Sequence, residues 1–175
     1  MNSLGQNEVP HRPSEAAMAA YTAQFSSLDD AAALVSRIVF DGVTSTASVY
    51  TDFLRHMQQS RGRMAKDARR IGDVHLRVIF NAIAAAGLPA FAPDVFGNEE
   101  SLYNLVHEHL AIHTFRTVAM SWAYTSLYVF PMPLLEDHWL LRSFYRSYIY
   151  GYMGRQSRKM QDRIPQKGGS HENMG

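Results

Sequence analysis

The stretch STASVYTDFLRHMQQSRGRMAKDARRIGDVHLRVIFNAIAAA, residues 45–86, decides the fold class of this chain. Its apolar side chains recur at three- and four-residue spacing, which places them on one face of an α-helix. They are Val49, Phe53, Met57, Met64, Ile71, Val74 and Val78. Gly62 and Gly72 weaken a helix, so the pattern predicts either one long helix or two.

Two shorter helical segments precede this stretch. Residues 14–24 are rich in alanine, which favours a helix by intrinsic propensity. Residues 27–42 begin with Ser27, which we predict to be an N-cap, and continue with an apolar stripe as far as Gly42.

Two more segments follow it. Residues 89–93 contain two prolines that end helical structure, and a fourth segment then covers about residues 99–130. The fifth begins after Pro133 and ends at Gly151 or Gly154. Because no stretch of useful length alternates as a strand does, the sequence predicts an all-α fold of about five helices.

The length of 175 residues is that of a single domain. Residues 13–164 form the expected helical domain, between a mobile arm at residues 1–12 and a disordered tail at residues 165–175, because neither end carries enough apolar surface to order itself. The N-terminal region lacks the pattern of a signal peptide, so we expect a cytoplasmic protein. The uncharged residues 117–135 contain polar side chains and two prolines, so we expect a buried core helix there and no membrane contact.

Composition excludes several kinds of chemistry. The chain has no cysteine, which excludes disulfides, thiolate metal sites and cysteine nucleophiles. Phosphate-binding glycine motifs and the Gly-x-Ser-x-Gly nucleophile motif are also absent from the sequence. Paired carboxylates occur only near helix starts, where they stabilise the helix dipole. We therefore expect a protein that is not an enzyme and needs no cofactor.

Histidines offer one alternative. His109 and His113 are four residues apart, so they share a helix face and can chelate one metal ion. A third ligand would have to come from elsewhere in the chain, and the di-iron and zinc-protease motifs are absent. We expect these histidines to be surface or hydrogen-bonded core residues, and a metal site at them is the alternative.

Basic residues are concentrated in two regions, residues 55–77 and residues 136–167, although the net charge is only +1. Between Arg55 and Arg77 there are seven basic residues against two acidic ones, and the chain has fourteen arginines and three lysines. Arg63, Lys66 and Arg70 share one helix face, which can lie along a phosphate backbone or simply face solvent. We predict DNA contacts at six residues, namely Arg55, Arg61, Arg63, Lys66, Arg69 and Arg70.

Aromatic residues and arginines alternate in the last helical segment. More aromatic rings are present there than one buried stripe accommodates, and these residue types are enriched at protein interfaces. We predict a partner or subunit interface, with a broad aromatic core and base stacking as alternatives. Its residues are Trp139, Arg142, Tyr145, Arg146, Tyr148 and Tyr152.

Short sequence pieces in residues 28–150 also carry a resemblance to a known family. They are Thr46 and Ser48 before a helix, Ser60-Arg61-Gly62-Arg63, Leu88-Pro89 with Phe91, Asp94 and Phe96, Val106-His107, and Phe144-Tyr145-Arg146-Ser147-Tyr148. Their order resembles FlhC-type transcriptional activators, the larger subunit of the flagellar master regulator, and their relatives on mobile elements. The zinc-binding cysteine cluster of that family is missing here. The resemblance implies a cytoplasmic DNA-binding regulator that works with a smaller helical partner.

These observations predict a DNA-binding regulatory protein, transcriptional or of a plasmid or mobile element, that acts in a protein complex. One alternative is a helical adaptor or chaperone that binds only protein. The other is a metal-dependent enzyme that uses His109 and His113.

Overall fold

The computed structural model describes residues 12–37, 47–59 and 62–162. Every regular element within these ranges is helical, which confirms the all-α class. The elements are α1 (Glu15–Thr22), α2 (Leu28–Ser36), α3 (Ala47–Gln59), α4 (Arg63–Ala68), α5 (Asp73–Ala85), α6 (Leu102–Met120), α7 (Met132–Glu136), α8 (His138–Arg146), a π-helical stretch (Ser147–Met153) and α9 (Gly154–Gln161). The helices are therefore more numerous and shorter than the five expected.

Helix α6 is the centre of the fold. Its 19 residues pack against α1, α2, α5 and α8. Val106 and Leu110 on α6 meet Val35 from α2 and Ala82 from α5 in a continuous apolar core. Buried side chains occur all around α6, so this helix lies inside the molecule rather than on its surface.

Side-chain caps fix the starts of the helices. Ser27 accepts a hydrogen bond from the backbone N–H of Asp30 at 3.2 Å, which confirms the predicted N-cap of α2. Ser101 caps α6 in the same way, and Asp137 caps α8 by accepting from Leu140 at 2.9 Å.

The stretch that suggested one or two long helices forms three. Helix α3 ends at Gln59, α4 begins at Arg63, and four residues then connect α4 to α5. Gly62 and Gly72 stand at the N-caps of α4 and α5, in extended backbone rather than inside a helix. These two glycines, which have weak helix propensity, therefore interrupt the helical structure.

Helix α6 ends at Met120, ten residues before the predicted end. Trp122 adopts a left-handed conformation with φ of 63°, and the N–H of Ala123 reaches back to the carbonyl of Val118 at 3.3 Å. This pairing is the Schellman motif, which terminates a helix and usually has glycine at the left-handed position. Within the described residues, no helix has the length and apolarity required to cross a bilayer.

The last helical segment continues past both of its predicted ends, Gly151 and Gly154. Helix α8, the π-helical stretch and α9 follow one another without a break from His138 to Gln161, and we call them together the C-terminal rod. Gly154 is buried against the loop before α6, where the carbonyl oxygen of Val95 lies 3.5 Å from the position that a Cβ would take.

The loop before α6 is held by polar contacts. Asn104 accepts from the N–H of Asp94 at 2.9 Å and donates to the carbonyl oxygens of Asp94 and Asn98 at 3.1 and 2.8 Å. Arg12 forms two 3.0 Å hydrogen bonds with the Asp94 carboxylate, so Arg12 belongs to the folded part and not to the predicted arm. The rest of that arm and the predicted tail lie outside the described residues.

Candidate nucleic-acid interface

Helices α4 and α5 and the turn between them form a helix–turn–helix unit. The turn consists of Arg69, Arg70, Ile71 and Gly72, and the N–H groups of Arg70 and Ile71 donate to carbonyls of α4 at 3.0 and 3.1 Å. Gly72 then accepts from Leu76 at 3.2 Å and starts α5. A turn of three or four residues that contains glycine is one feature of helix–turn–helix motifs.

One face of α5 points to solvent along its whole length. Val74 is 64% exposed, and Arg77 and Ala84 are also exposed. Asn81 is half-buried between them on the same face. The opposite face holds the buried Leu76 and Ala82 and packs toward α6. The second helix of the unit therefore combines a buried side with a solvent-facing row of an aliphatic side chain, an arginine and an asparagine.

Exposed basic side chains precede this helix in the chain. Lys66 on α4 and Arg69 and Arg70 in the turn are all exposed. Arg70 lies 4.0 Å from Asp67, and both side chains are about half exposed, so water screens this ion pair. We define Lys66, Arg69, Arg70 and Arg77 as the basic surface.

The guanidinium of Arg77 is held in a defined position. Its Nε lies 2.7 Å from the Asp73 carboxylate, and the guanidinium stacks over the ring of Tyr50 at 4.9 Å from the ring centre. The Tyr50 hydroxyl donates to the same Asp73 carboxylate. Arg77 is thus oriented by α3 and by the first turn of its own helix, close to where α5 begins.

The described members of the predicted DNA-binding set belong to two different helices and a turn. Arg55 is exposed on α3, whereas Lys66, Arg69 and Arg70 belong to α4 and its turn. Arg61 lies outside the described residues, as does the side chain of Arg63. Arg55 and the other described members of the set therefore lie on different helices and not along one continuous helix.

The solvent-exposed face of α5 was not predicted from the sequence. Val74 and Val78 were assigned to one buried stripe with Met57 and Ile71, but a stripe extended across two helix breaks loses its register. Only the glycines at positions 62 and 72 signalled those breaks.

Two arginines assigned to a partner interface have partners inside the chain. Arg142 Nε lies 2.7 Å from Oε1 of Glu108, and Arg146 Nε lies 2.6 Å from Oε2 of the same buried carboxylate. Arg146 also contacts Glu100 at 2.5 Å, which lowers the pKa of the Glu100 carboxyl. This ion network fixes α8 against α6.

The aromatic residues of the predicted interface divide into two groups. Burial raises the pKa of Tyr145, which packs edge to face against Tyr150. Trp139 is 76% exposed, and Tyr148 and Tyr152 are exposed and stack on each other with ring centres 5.7 Å apart. The structure therefore leaves three of the six predicted residues on the surface.

The two histidines offered as a metal pair are partly buried. Burial lowers the pKa of both His109 and His113. His109 lines a cleft of about 140 Å³ with His138 and Arg142. In the part of the chain that the structure describes, no three histidine, aspartate or glutamate side chains are placed to hold a metal ion.

Apolar side chains are also exposed in residues 117–135, where the sequence predicts a buried core helix. The segment after α6 exposes Met120, Trp122, Tyr128, Val129 and Met132, and Trp122 is 69% exposed. The Ser126 hydroxyl donates to the carbonyl of Arg70 at 3.2 Å, which places this segment beside the turn of the helix–turn–helix unit.

Comparisons with known proteins give no relative. No family model, no curated protein sequence and no solved structure matches this chain.

Proposed function

We propose that this protein is a non-enzymatic DNA-binding protein that holds a duplex with α4, the turn and α5. The single observation that carries the proposal is the exposed side of α5, which follows the exposed cations of α4 and the turn directly in the chain. The resemblance to FlhC-type activators implies the same class of function.

The basic surface would bind the phosphate backbone. Between residues 62 and 85 the sequence has five basic residues against two acidic ones. Lys66, Arg69 and Arg70 extend from α4 and the turn, the part of such a motif that lies across the backbone. Contacts of this kind release counterions and provide most of the affinity without selecting a sequence.

The first turns of α5 would read the bases. Arg77 would make a bidentate contact with guanine, and Asn81, one turn later, with adenine. Val74 offers an aliphatic contact for the methyl group of thymine. Arg77 would exchange its Asp73 partner for a base edge, so Asp73→Asn should strengthen binding to a random duplex by removing a negative charge from the contact face.

The test is fluorescence anisotropy of a labelled random duplex at about 50 and 200 mM salt. Replacing Lys66 and Arg70 together with alanine should reduce the slope of log affinity against log salt by about 2, since each phosphate contact contributes about 1. The matched control is a double alanine variant of Arg155 and Arg158, which removes the same charge from α9. Absence of binding at low salt, or an equal loss of slope in both variants, would overturn the proposal.

A second candidate is a protein-binding adaptor with no affinity for nucleic acid. The large apolar side chains exposed after α6 and along the C-terminal rod favour it, because monomeric proteins rarely expose such residues in groups. The anisotropy measurement separates the two candidates, since an adaptor gives no signal at any salt concentration.

A further inference from the structure

The C-terminal rod carries a row of exposed side chains with symmetric spacing. Asp137, Phe144, Tyr148, Tyr152 and Lys159 follow one another at intervals of seven, four, four and seven residues. The three aromatic members are between 41% and 55% exposed, and both charged members are exposed. Intervals of four and seven residues keep side chains on one side of a helix, so these residues, with Asp137 at the N-cap of α8, form a ridge, which we call the rod ridge. Arg155, which is also exposed, lies on this side between Tyr152 and Lys159.

The rod ridge has the same spacing on both sides of Tyr148. Counted from Tyr148, the next members lie four and eleven residues away in each direction of the chain. Its charges are opposite at the two ends, with a carboxylate at Asp137 and an ammonium at Lys159. Two such rods placed antiparallel, with Tyr148 of each at the two-fold axis, bring Phe144 of one opposite Tyr152 of the other. The same arrangement brings each Lys159 opposite Asp137 of the other rod.

We infer that the rod ridge is the interface of a two-fold symmetric homodimer in which the C-terminal rods pack antiparallel. A two-fold interface must be self-complementary, with the same surface on both subunits. The rod ridge meets this requirement in shape, because an aromatic residue opposes an aromatic residue at every position. It also meets the requirement in charge, because both ends pair a cation with an anion.

Contacts within the single chain hold the residues of the rod ridge in position. The ion network of Arg142 and Arg146 with Glu108 holds the opposite side of α8 against α6. Tyr148 and Tyr152 are already stacked in the single chain, so dimerisation requires little further ordering of these rings. The other apolar surface, after α6, lacks this symmetric spacing and is not part of the inference.

The expected dimer is of modest stability. A buried aromatic side chain covers about 150–250 Å², and about half of each of the three rings is already covered in the single chain. The rings alone therefore contribute roughly 300 Å² per subunit, less than the roughly 800 Å² of a standard interface. We expect a concentration-dependent equilibrium between monomer and dimer rather than a permanent dimer.

Sedimentation velocity of the full chain over a range of concentrations tests the interface. Tyr148→Glu places two like charges at the two-fold axis and should weaken dimerisation by about tenfold or more. Tyr128→Glu is the matched control, because it makes the same change at an exposed tyrosine outside the rod ridge, and it should leave the dimer intact. Circular dichroism verifies that both variants keep their helices.

A charge exchange tests the antiparallel pairing. Lys159→Glu and Asp137→Lys should each weaken self-association, because each homodimer then has like charges at both ends. A mixture of the two variants should form a heterodimer, because every end contact is again between opposite charges. Asp137 also caps α8. If the Asp137 variant unfolds, the Lys159→Glu and Tyr148→Glu variants test the interface without it.

A chain that remains monomeric at every concentration overturns the inference. So does a dimer that Tyr148→Glu does not weaken, or a mixture that associates no better than its separate components. Because this readout involves no DNA, the inference fails or stands independently of the proposed function.

Discussion

Replacing His107 with glutamine should make the stability of this protein less sensitive to mild acid. The imidazole is completely buried on α6, where its Nδ1–H donates to the carbonyl oxygen of Tyr103 at 2.9 Å. The rings of Phe91 and Tyr103 lie against it. Burial lowers the pKa of His107 from 6.5 to about 4, so the folded protein keeps this side chain neutral in mild acid while the unfolded chain protonates it.

The sign of the effect follows from proton binding. Below about pH 6.5 the unfolded state binds a proton that the folded state does not bind until the pH approaches 4. The contribution of His107 to stability is therefore fully present above pH 6.5 and decreases as the pH falls toward 4. At 1.36 kcal/mol per unit of pKa, the loss between about pH 7 and pH 5 amounts to about 2 kcal/mol.

The assay is urea unfolding at these two pH values, followed by tryptophan fluorescence. The wild type should lose about 2 kcal/mol more than His107→Gln between the two conditions, even though the variant is less stable at neutral pH. His109 and His113 are present in both proteins, so their contribution cancels. If His107→Gln loses as much stability as the wild type, the imidazole is not neutral in the folded state.

Three further substitutions test the fold by urea unfolding at neutral pH. Glu108→Gln should cost about 3 kcal/mol, because two guanidinium groups lose a buried carboxylate, whereas Glu136→Gln, the same change at an exposed position, should stay within about 0.5 kcal/mol of the wild type. Trp122→Gly should raise the free energy of unfolding by about 1 kcal/mol, since glycine adopts the left-handed conformation without strain; a decrease would show that the indole stabilises the turn. Asn104→Ala should cost about 3 kcal/mol by leaving buried backbone groups unpaired, and a cost below about 1 kcal/mol would mean that water replaces its hydrogen bonds.

The features that depend on neighbouring residues could be predicted from the sequence alone. Helix propensity and apolar spacing predicted the all-α class, and the position of Ser27 before Asp29 and Asp30 predicted the start of α2. These signals act within one or two turns of the chain, and a sequence displays them directly.

Features that depend on distant residues could not be predicted in the same way. Arg142 and Arg146 look like exposed interface residues because nothing near them in the sequence is their partner. Their carboxylate, Glu108, precedes them by 34 and 38 residues and meets them only when α8 packs on α6. The end of α6 was missed for a different reason, since Trp122 occupies a position where glycine is the usual signal.

The proposed DNA site was only partly visible in the sequence. The excess of basic residues between Arg55 and Arg77 pointed to the region that we propose as the DNA site. Which of them act together depended on where the helices break, and the face of α5 emerged only from its packing against α6. Local charge therefore locates such a surface, whereas tertiary packing decides which residues belong to it.

The ion network of Glu108 also determines which side of the C-terminal rod meets solvent. Residues two positions apart on a helix lie about 200° apart around its axis. Because Arg142 and Arg146 are fixed toward α6, Phe144 and Tyr148 must point away from it, and both are exposed. A buried charge pair is weak evidence for stability, but its directional hydrogen bonds fix the rotation of α8. The aromatic residues of the rod ridge are thus exposed as a consequence of the polar contacts on its opposite side.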